Sequence, residues 1–118
     1  MVSALEEQLA ELLDISHEHV AVFESDIHDP SSDIVVLVER HSPIDEDQVN
    51  TLLIAMPKEA FPINKILLSK AREIPRTTSG KKRHFYCRQE YKKNTIKFQQ
   101  EIEVSPQRIT QAMNSQKD

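Results

Sequence analysis

Glycine is almost missing from this chain. Among its 118 residues only Gly80 is a glycine. A Walker phosphate loop, a dinucleotide-binding fingerprint and a G-x-S-x-G nucleophile elbow each need at least two, so the count excludes all three. Cysteine is equally scarce: Cys87 alone can neither close an internal disulfide nor build a zinc ribbon. There is no tryptophan, and four Phe and two Tyr leave most of the burial to aliphatic side chains. No uninterrupted apolar run exceeds that from Ile34 to Val38, far short of the ~20 residues that span a bilayer. The amino terminus, MVSALEEQLAELLD, is acidic and amphipathic and lacks a basic-then-apolar signal pattern. These absences predict a cytoplasmic protein with no membrane span. The length predicts one domain with a modest core.

The charge that is present is unevenly spread. The net charge is −4. Met1 to Pro75 carries 15 acidic against 5 basic residues, a balance of −10. Arg76 to Lys93 carries 7 basic residues against Glu90 alone, +6, and the remainder is neutral. An acidic body argues against a nucleic-acid partner, whose binders are usually basic over a whole face. A local basic segment fits a small anion or a small acidic surface better.

Periodicity supplies the elements. Ser3 and Glu6 form a capping-box signature, and Leu5, Leu9, Leu12 and Leu13 follow at helical spacing, predicting a helix over about 4–14. Val20, Val22 and Phe23 predict a strand over about 19–25. A turn-rich stretch from Asp26 to Asp33 separates it from Ile34–Val38, the β-branched run of a strand buried on both faces. The two strands are expected to pair as a hairpin with a long loop. Ser42-Pro43 offers an N-cap and first-turn proline for a second helix carrying Val49, Leu52, Leu53 and Met56 and stopped by Pro57. Ile63 to Leu68 is a third strand, and Arg83 to Lys92 a short basic helix. Ile96, Phe98, Ile102 and Val104 alternate loosely, as a strand or a linker. Ser105-Pro106 offers a start for a last helix using Ile109, Ala112 and Met113. The expectation is a small α+β domain over 1–93, a hairpin plus a third strand with helices packed on the sheet, followed by a polar tail or linker over 94–118.

Chemistry concentrates in Ile74-Pro75-Arg76-Thr77-Thr78-Ser79-Gly80-Lys81-Lys82-Arg83. Thr77, Thr78 and Ser79 offer hydroxyls and backbone N–H groups suited to phosphate oxygens. Gly80 permits a turn that brings Lys81 forward, and a lysine ammonium is a compact charge able to reach between two anions. The loop from Thr77 to Lys82 is expected to be exposed and mobile, anchored only by Pro75 and the following helix. Composition alone would also fit an ordinary surface turn.

The order Pro75-Arg76-Thr77-Thr78-Ser79-Gly80-Lys81 resembles the P-[KR]-T-x-S-G-K motif of acyl- and aryl-adenylate-forming ligases, most like the fatty acyl-AMP ligases and acyl-CoA synthetases. Cys87-Arg88 is similar to a Cys-Arg pair that fatty acyl-AMP ligases carry in the next helix. The element order resembles that family's mobile C-terminal lid subdomain. The chain departs from the pattern at Lys82, where the family has Ile or Val, and at His84-Phe85, where it often has an Arg pair. The resemblance implies a catalytic role for Lys81 in forming an acyl-AMP, with Thr77, Thr78, Ser79 and Gly80 as the ATP phosphate loop. It implies ATP and magnesium held mainly by an N-terminal adenylation domain, and a fatty acid or other carboxylic acid as substrate. The acceptor would be coenzyme A or the phosphopantetheine of an acyl carrier protein. It implies no metal ligand on this chain and no activity for the chain alone. The alternative is a catalytically silent interaction module of the same fold that docks a carrier protein or partner subunit.

Other residues invite chemistry less. His17 and His19 form an H-x-H pair with no third ligand in view, and His28 and His41 lie in polar turns, so all four are expected to be solvated surface histidines. Cys87, flanked by Arg83 and Arg88, is expected to be a partly buried helix cysteine in preference to a reactive thiol.

Overall fold

A computed structural model describes residues 2–55, 63–70 and 72–114. The expected helix stop at Met56-Pro57 and the Ser3 side chain lie outside the described residues. The chain is α+β. Helix α1 (Val2–Leu13) and a short 3-10 helix (His17–His19) precede β1 (Val20–Glu24) and β2 (Ile34–Glu39). Then come α2 (Glu46–Ala55), β3 (Lys65–Ser69), α3 (His84–Lys92), β4 (Gln100–Glu103) and α4 (Pro106–Asn114).

The strands lie in the order β1-β2-β3-β4. β1 and β2 form the expected antiparallel pair, while β3 joins β2 in parallel across α2, and β4 returns antiparallel to β3. The register puts Val20, Val22, Val36, Val38, Ile66, Leu68 and Ile102 on one face, where they pack with apolar residues of α1, α2 and α4. Ala21, Phe23, Val35, Leu37 and Leu67 fill the other face against Ile74, Cys87 of α3 and Ile96. β2 and β3 are therefore covered on both sides, which explains their unbroken apolar runs.

Three expectations need correction. The described part of the expected tail or linker, 94–114, belongs to the domain: its β4 closes the sheet edge, and Ile102, Ile109 and Ala112 are buried in the core. Its polar composition hid this because β4 has one buried residue among four and α4 only a narrow apolar stripe. Met113, expected on that stripe, is exposed, as is part of Leu12 on α1. The start of α2 falls three residues after Pro43. Asp45 accepts from the Gln48 N–H at 2.8 Å, and Gln48 Oε1 accepts from the Asp45 N–H at 3.2 Å, a reciprocal cap that Ser42 does not make. Ile44 and Val49, flanking that cap, are both buried.

Scarce glycine is felt at the helix ends. α1 closes with Asp14 at φ 57°, the Asp14 N–H donating to Glu11 O and the Ile15 N–H to Ala10 O. α3 closes alike, with Asn94 at φ 57° and the Asn94 and Thr95 N–H groups donating to Tyr91 O and Glu90 O. Both are Schellman closures, a place usually given to glycine, made here by the residues next best able to adopt a left-handed backbone.

Candidate functional site: a clamped lysine loop

Between β3 and α3 the motif folds into a narrow hairpin. Arg76 and Lys82 pair as an antiparallel bridge, and the Thr77 N–H donates to Lys81 O at 2.8 Å. The Gly80 N–H donates to Thr77 O at 2.9 Å, with Gly80 at φ 89°. A three-residue loop of this kind, a turn followed by one residue of positive φ, is where glycine is demanded, and the chain spends its single glycine there. Thr77 Oγ1 accepts from the Lys81 N–H at 3.1 Å and lies 3.0 Å from Ser79 Oγ, so these hydroxyls stiffen the turn. Thr77, Thr78, Ser79, Gly80 and Lys81 are all exposed, as expected of the tip.

The stems correct the expected anchoring. Pro75 and α3 are not the only anchors, because each stem is held by a buried carboxylate. Glu39, at the end of β2, takes Arg76 in a two-pronged pair: Oε1 to Nη2 at 2.7 Å and Oε2 to Nη1 at 3.1 Å. Glu39 also accepts from the Ile74 N–H at 3.0 Å, and His19 Nδ1 lies 3.0 Å from its Oε1. Arg76 spends its remaining reach on the carbonyls of Ile74 and Glu18.

The outgoing stem is held from the other side. Glu6 of α1 is 4% exposed, and its carboxylate does not cap its own helix as the capping-box signature predicted. Instead Oε1 receives Lys82 Nζ at 2.7 Å, while Oε2 accepts from the Val22 N–H at 2.8 Å and lies 2.7 Å from His84 Nε2. Lys82 Nζ also donates to Val20 O at 2.7 Å and His17 O at 2.9 Å, so all three ammonium donors are used.

Burial pushes the Glu6 carboxyl up, but His84, Lys82 and the Val22 N–H outweigh it and hold the group below its ordinary value. Glu39 behaves alike: burial opposes ionisation, and Arg76, the Ile74 N–H and His19 together reverse that. Both carboxylates therefore neutralise the stems and leave the tip cationic. Lys81 makes no side-chain hydrogen bond or ion pair among the described residues, whereas its neighbour Lys82 is fully committed.

The basic count of this segment overstates its free charge. Arg76 and Lys82 are paired inside, Arg88 Nε donates to Glu24 O at 2.7 Å, and Lys92 lies 3.8 Å from Asp26. Arg83 stacks over the Tyr86 ring at 3.9 Å. Phe85 and Tyr86, in edge contact at 5.5 Å, form an exposed aromatic pair beside the loop.

Cys87 faces inward from α3, wholly buried. Burial, reinforced by Glu90 and Glu6, pushes its thiol up to about 12, so the flanking arginines do not activate it. His17 lends only its carbonyl, and His28 and His41 are exposed. Among the described residues no group of three His, Cys, Asp or Glu is placed to hold a metal ion, and no helix is long and apolar enough to cross a membrane.

Sequence reasoning found the loop and missed its clamps. The signals were present: Arg76 and Lys82 stand three residues either side of Ser79, the spacing of a hairpin pair, and Glu39 directly continues an apolar strand. Glu6, next to Leu5 and one turn before Leu9 and Ala10, sits near the helix face that the leucines bury. No protein-family model, curated protein or solved structure matches the chain.

Proposed function

We propose that the chain is the C-terminal lid of a cytoplasmic ATP-dependent acyl-adenylating ligase and that Lys81 is its catalytic lysine. The observation that carries this reading is the division of labour within the loop. Two of its cations are locked to buried carboxylates, and one, at the exposed tip, is left to meet an external anion.

In adenylation a carboxylate oxygen of the acid attacks the α-phosphorus of ATP, the bond to pyrophosphate breaks, and acyl-AMP forms. Two anionic groups converge, so negative charge concentrates between them in the transition state. A cation delivered there stabilises that state more than either separated reactant and so raises the rate. A hairpin with both stems held by ion pairs suits this delivery, because a lysine on an unanchored loop would lose its advantage in ordering entropy. ATP and magnesium would be held mainly by the N-terminal adenylation domain. The N–H groups of Thr78 and Ser79, which the hairpin's own bonds do not use, and the hydroxyls of Thr77, Thr78 and Ser79 would face the phosphates on closure across the Gly80 turn, and the exposed Phe85–Tyr86 pair would give that domain an apolar contact beside the loop.

The test is a ligase carrying this lid joined to its adenylation domain. Lys81→Ala should reduce acyl-AMP formation by ~10²–10³, the usual cost of losing one such stabiliser. Transfer of preformed acyl-AMP to a thiol should fall much less. Pyrophosphate exchange by the chain alone should be absent. Exchange by the isolated chain, or an equal loss in both half-reactions, would overturn the assignment. A fully active Lys81→Ala enzyme would favour the silent docking module.

A further inference from the structure

The parallel pairing of β2 and β3 ends in a basic cleft that borders the Arg76 clamp through Glu39 and His19 but includes no residue of the lysine tip. Glu39 is level with Ser69 in the register, so Arg40 and Lys70 leave the sheet side by side. Their backbones are fixed: the Arg40 N–H donates to Ser69 O at 2.8 Å, and the Lys70 N–H to Gln99 Oε1 at 2.7 Å. Outside these strand ends lies a cleft of 640 Å³ lined by His19, Glu39, Arg40, His41, Lys70 and Arg72 among others. Its position beyond the carboxyl ends of parallel strands is where open α/β sheets bind ligands, and its size falls in the range of small-molecule sites, ~300–1,000 Å³.

Charge and hydrogen bonding both point to an anion. Three permanent cations, Arg40, Lys70 and Arg72, share the cleft with a single carboxylate. That carboxylate, Glu39, is already occupied by Arg76, the Ile74 N–H and His19. Arg40 Nη1 is buried with no hydrogen-bond partner. A buried charged donor without an acceptor is costly and rare, and the Arg40 side chain to which it belongs lines an open cavity. An acceptor from outside would remove that cost. A dianion matches the excess positive charge better than a monoanion, and a tetrahedral oxyanion presents several oxygens to donors spread over two strand ends.

We propose that this cleft binds the phosphate group of a small phosphorylated molecule. Arg40 supplies the buried donor, and Lys70 and Arg72 supply the exposed charge. The site is independent of Lys81 and needs only this chain.

The test is an amide NMR titration of the chain in low-salt, phosphate-free buffer, using inorganic phosphate and pyrophosphate as probes and acetate as a monoanion comparator. Saturable shifts are expected at Arg40, His41, Lys70 and Arg72 and not at Thr77–Lys81, with acetate much weaker. Lys70→Gln/Arg72→Gln, which alters only exposed side chains, should weaken phosphate about tenfold or more, while Lys81→Ala binds normally. Arg40→Gln should abolish binding with the fold retained by circular dichroism, and if it unfolds, the exposed double variant decides. No saturable shift, shifts confined to Thr77–Lys81, or equal responses to acetate and phosphate would each overturn the proposal.

Discussion

Removing Lys82 tests whether the loop is truly clamped. The Lys82 side chain is 11% exposed and its Glu6 partner 5%. Lys82→Ala deletes a 2.7 Å ion pair and leaves the carbonyls of Val20 and His17 without their donor. Breaking a buried pair by removing one partner commonly costs ~3–5 kcal/mol, because the surviving charge is stranded. Glu6 keeps His84 and the Val22 N–H, so the lower end applies, about 3 kcal/mol. In a chain of this length that lowers the melting temperature by about 10 °C. Urea unfolding followed by circular dichroism at neutral pH measures it, with Lys81→Ala as a control expected within about 0.5 kcal/mol of wild type. Lys82→Met, which keeps the aliphatic stem, should lose nearly as much as Lys82→Ala, since the stranded carboxylate is the main cost. A double-mutant cycle with Glu6→Gln should return a coupling of about 1–3 kcal/mol. If Lys82→Ala and Lys81→Ala were equally mild, the clamp would carry no energy and the reasoning would fail.

Acid should release both clamps. Glu6 and Glu39 titrate below the ordinary carboxyl value of 4.5 in the folded chain. Their contribution to stability is therefore complete above that value and lost as pH falls through the lower, folded one. Melting temperature should be level near neutrality and decline as pH drops through about 4.5 and below, and Glu6→Gln or Glu39→Gln should flatten the decline; an unchanged slope in both variants would contradict the assignment. Gly80→Ala should destabilise by about 1–2 kcal/mol through backbone strain alone. An added Cβ there meets nothing within 4 Å, so Gly80→Asn, better suited to positive φ, should cost less. Equal unfolding energies for the two variants would argue against strain.

The parts of the fold that local pattern dictates were legible. Leu5, Leu9 and Leu13 mark the buried face of α1, Ile34–Val38 marks a doubly covered strand, and the turn formers from Asp26 to Asp33 mark the hairpin loop. The parts decided by partners distant in sequence were not. β4 carries Gln100, Glu101 and Glu103 around a lone buried Ile102, and no alternation that weak reveals a strand. Besides its ladder with β3, it is tied by Gln100, whose amide both donates to and accepts from the Ile44 backbone at 2.9 and 2.8 Å, across 56 residues. The α2 start was misplaced for a related reason: Ser42-Pro43 has the right residue types, but Asp45 has Gln48 three residues on to complete the cap. Of the candidate site, the tip could be read because turn chemistry is local. Its clamps span 37 residues from Glu39 to Arg76 and 76 from Glu6 to Lys82, and no sequence period connects such positions.

The departure at Lys82 becomes intelligible in this light. The ligases that the motif resembles place Ile or Val after the lysine, a residue that can be buried at no electrostatic cost. Here a lysine occupies the position, and Glu6, Val20 O and His17 O satisfy it completely. Such a pair gives less net stability than a well-packed apolar contact, because desolvating two ions offsets most of their attraction. Its consequence is geometric: three donors met by three fixed acceptors allow one placement of the stem, where an apolar side chain tolerates several. With Arg76 held as strictly by Glu39 on the opposite stem, the two clamps together fix where the tip emerges. They also cancel the charge on either side of it. Lys81 is thereby presented as the hairpin's one uncommitted cation, in a position set by residues on α1 and β2 and not by the loop alone.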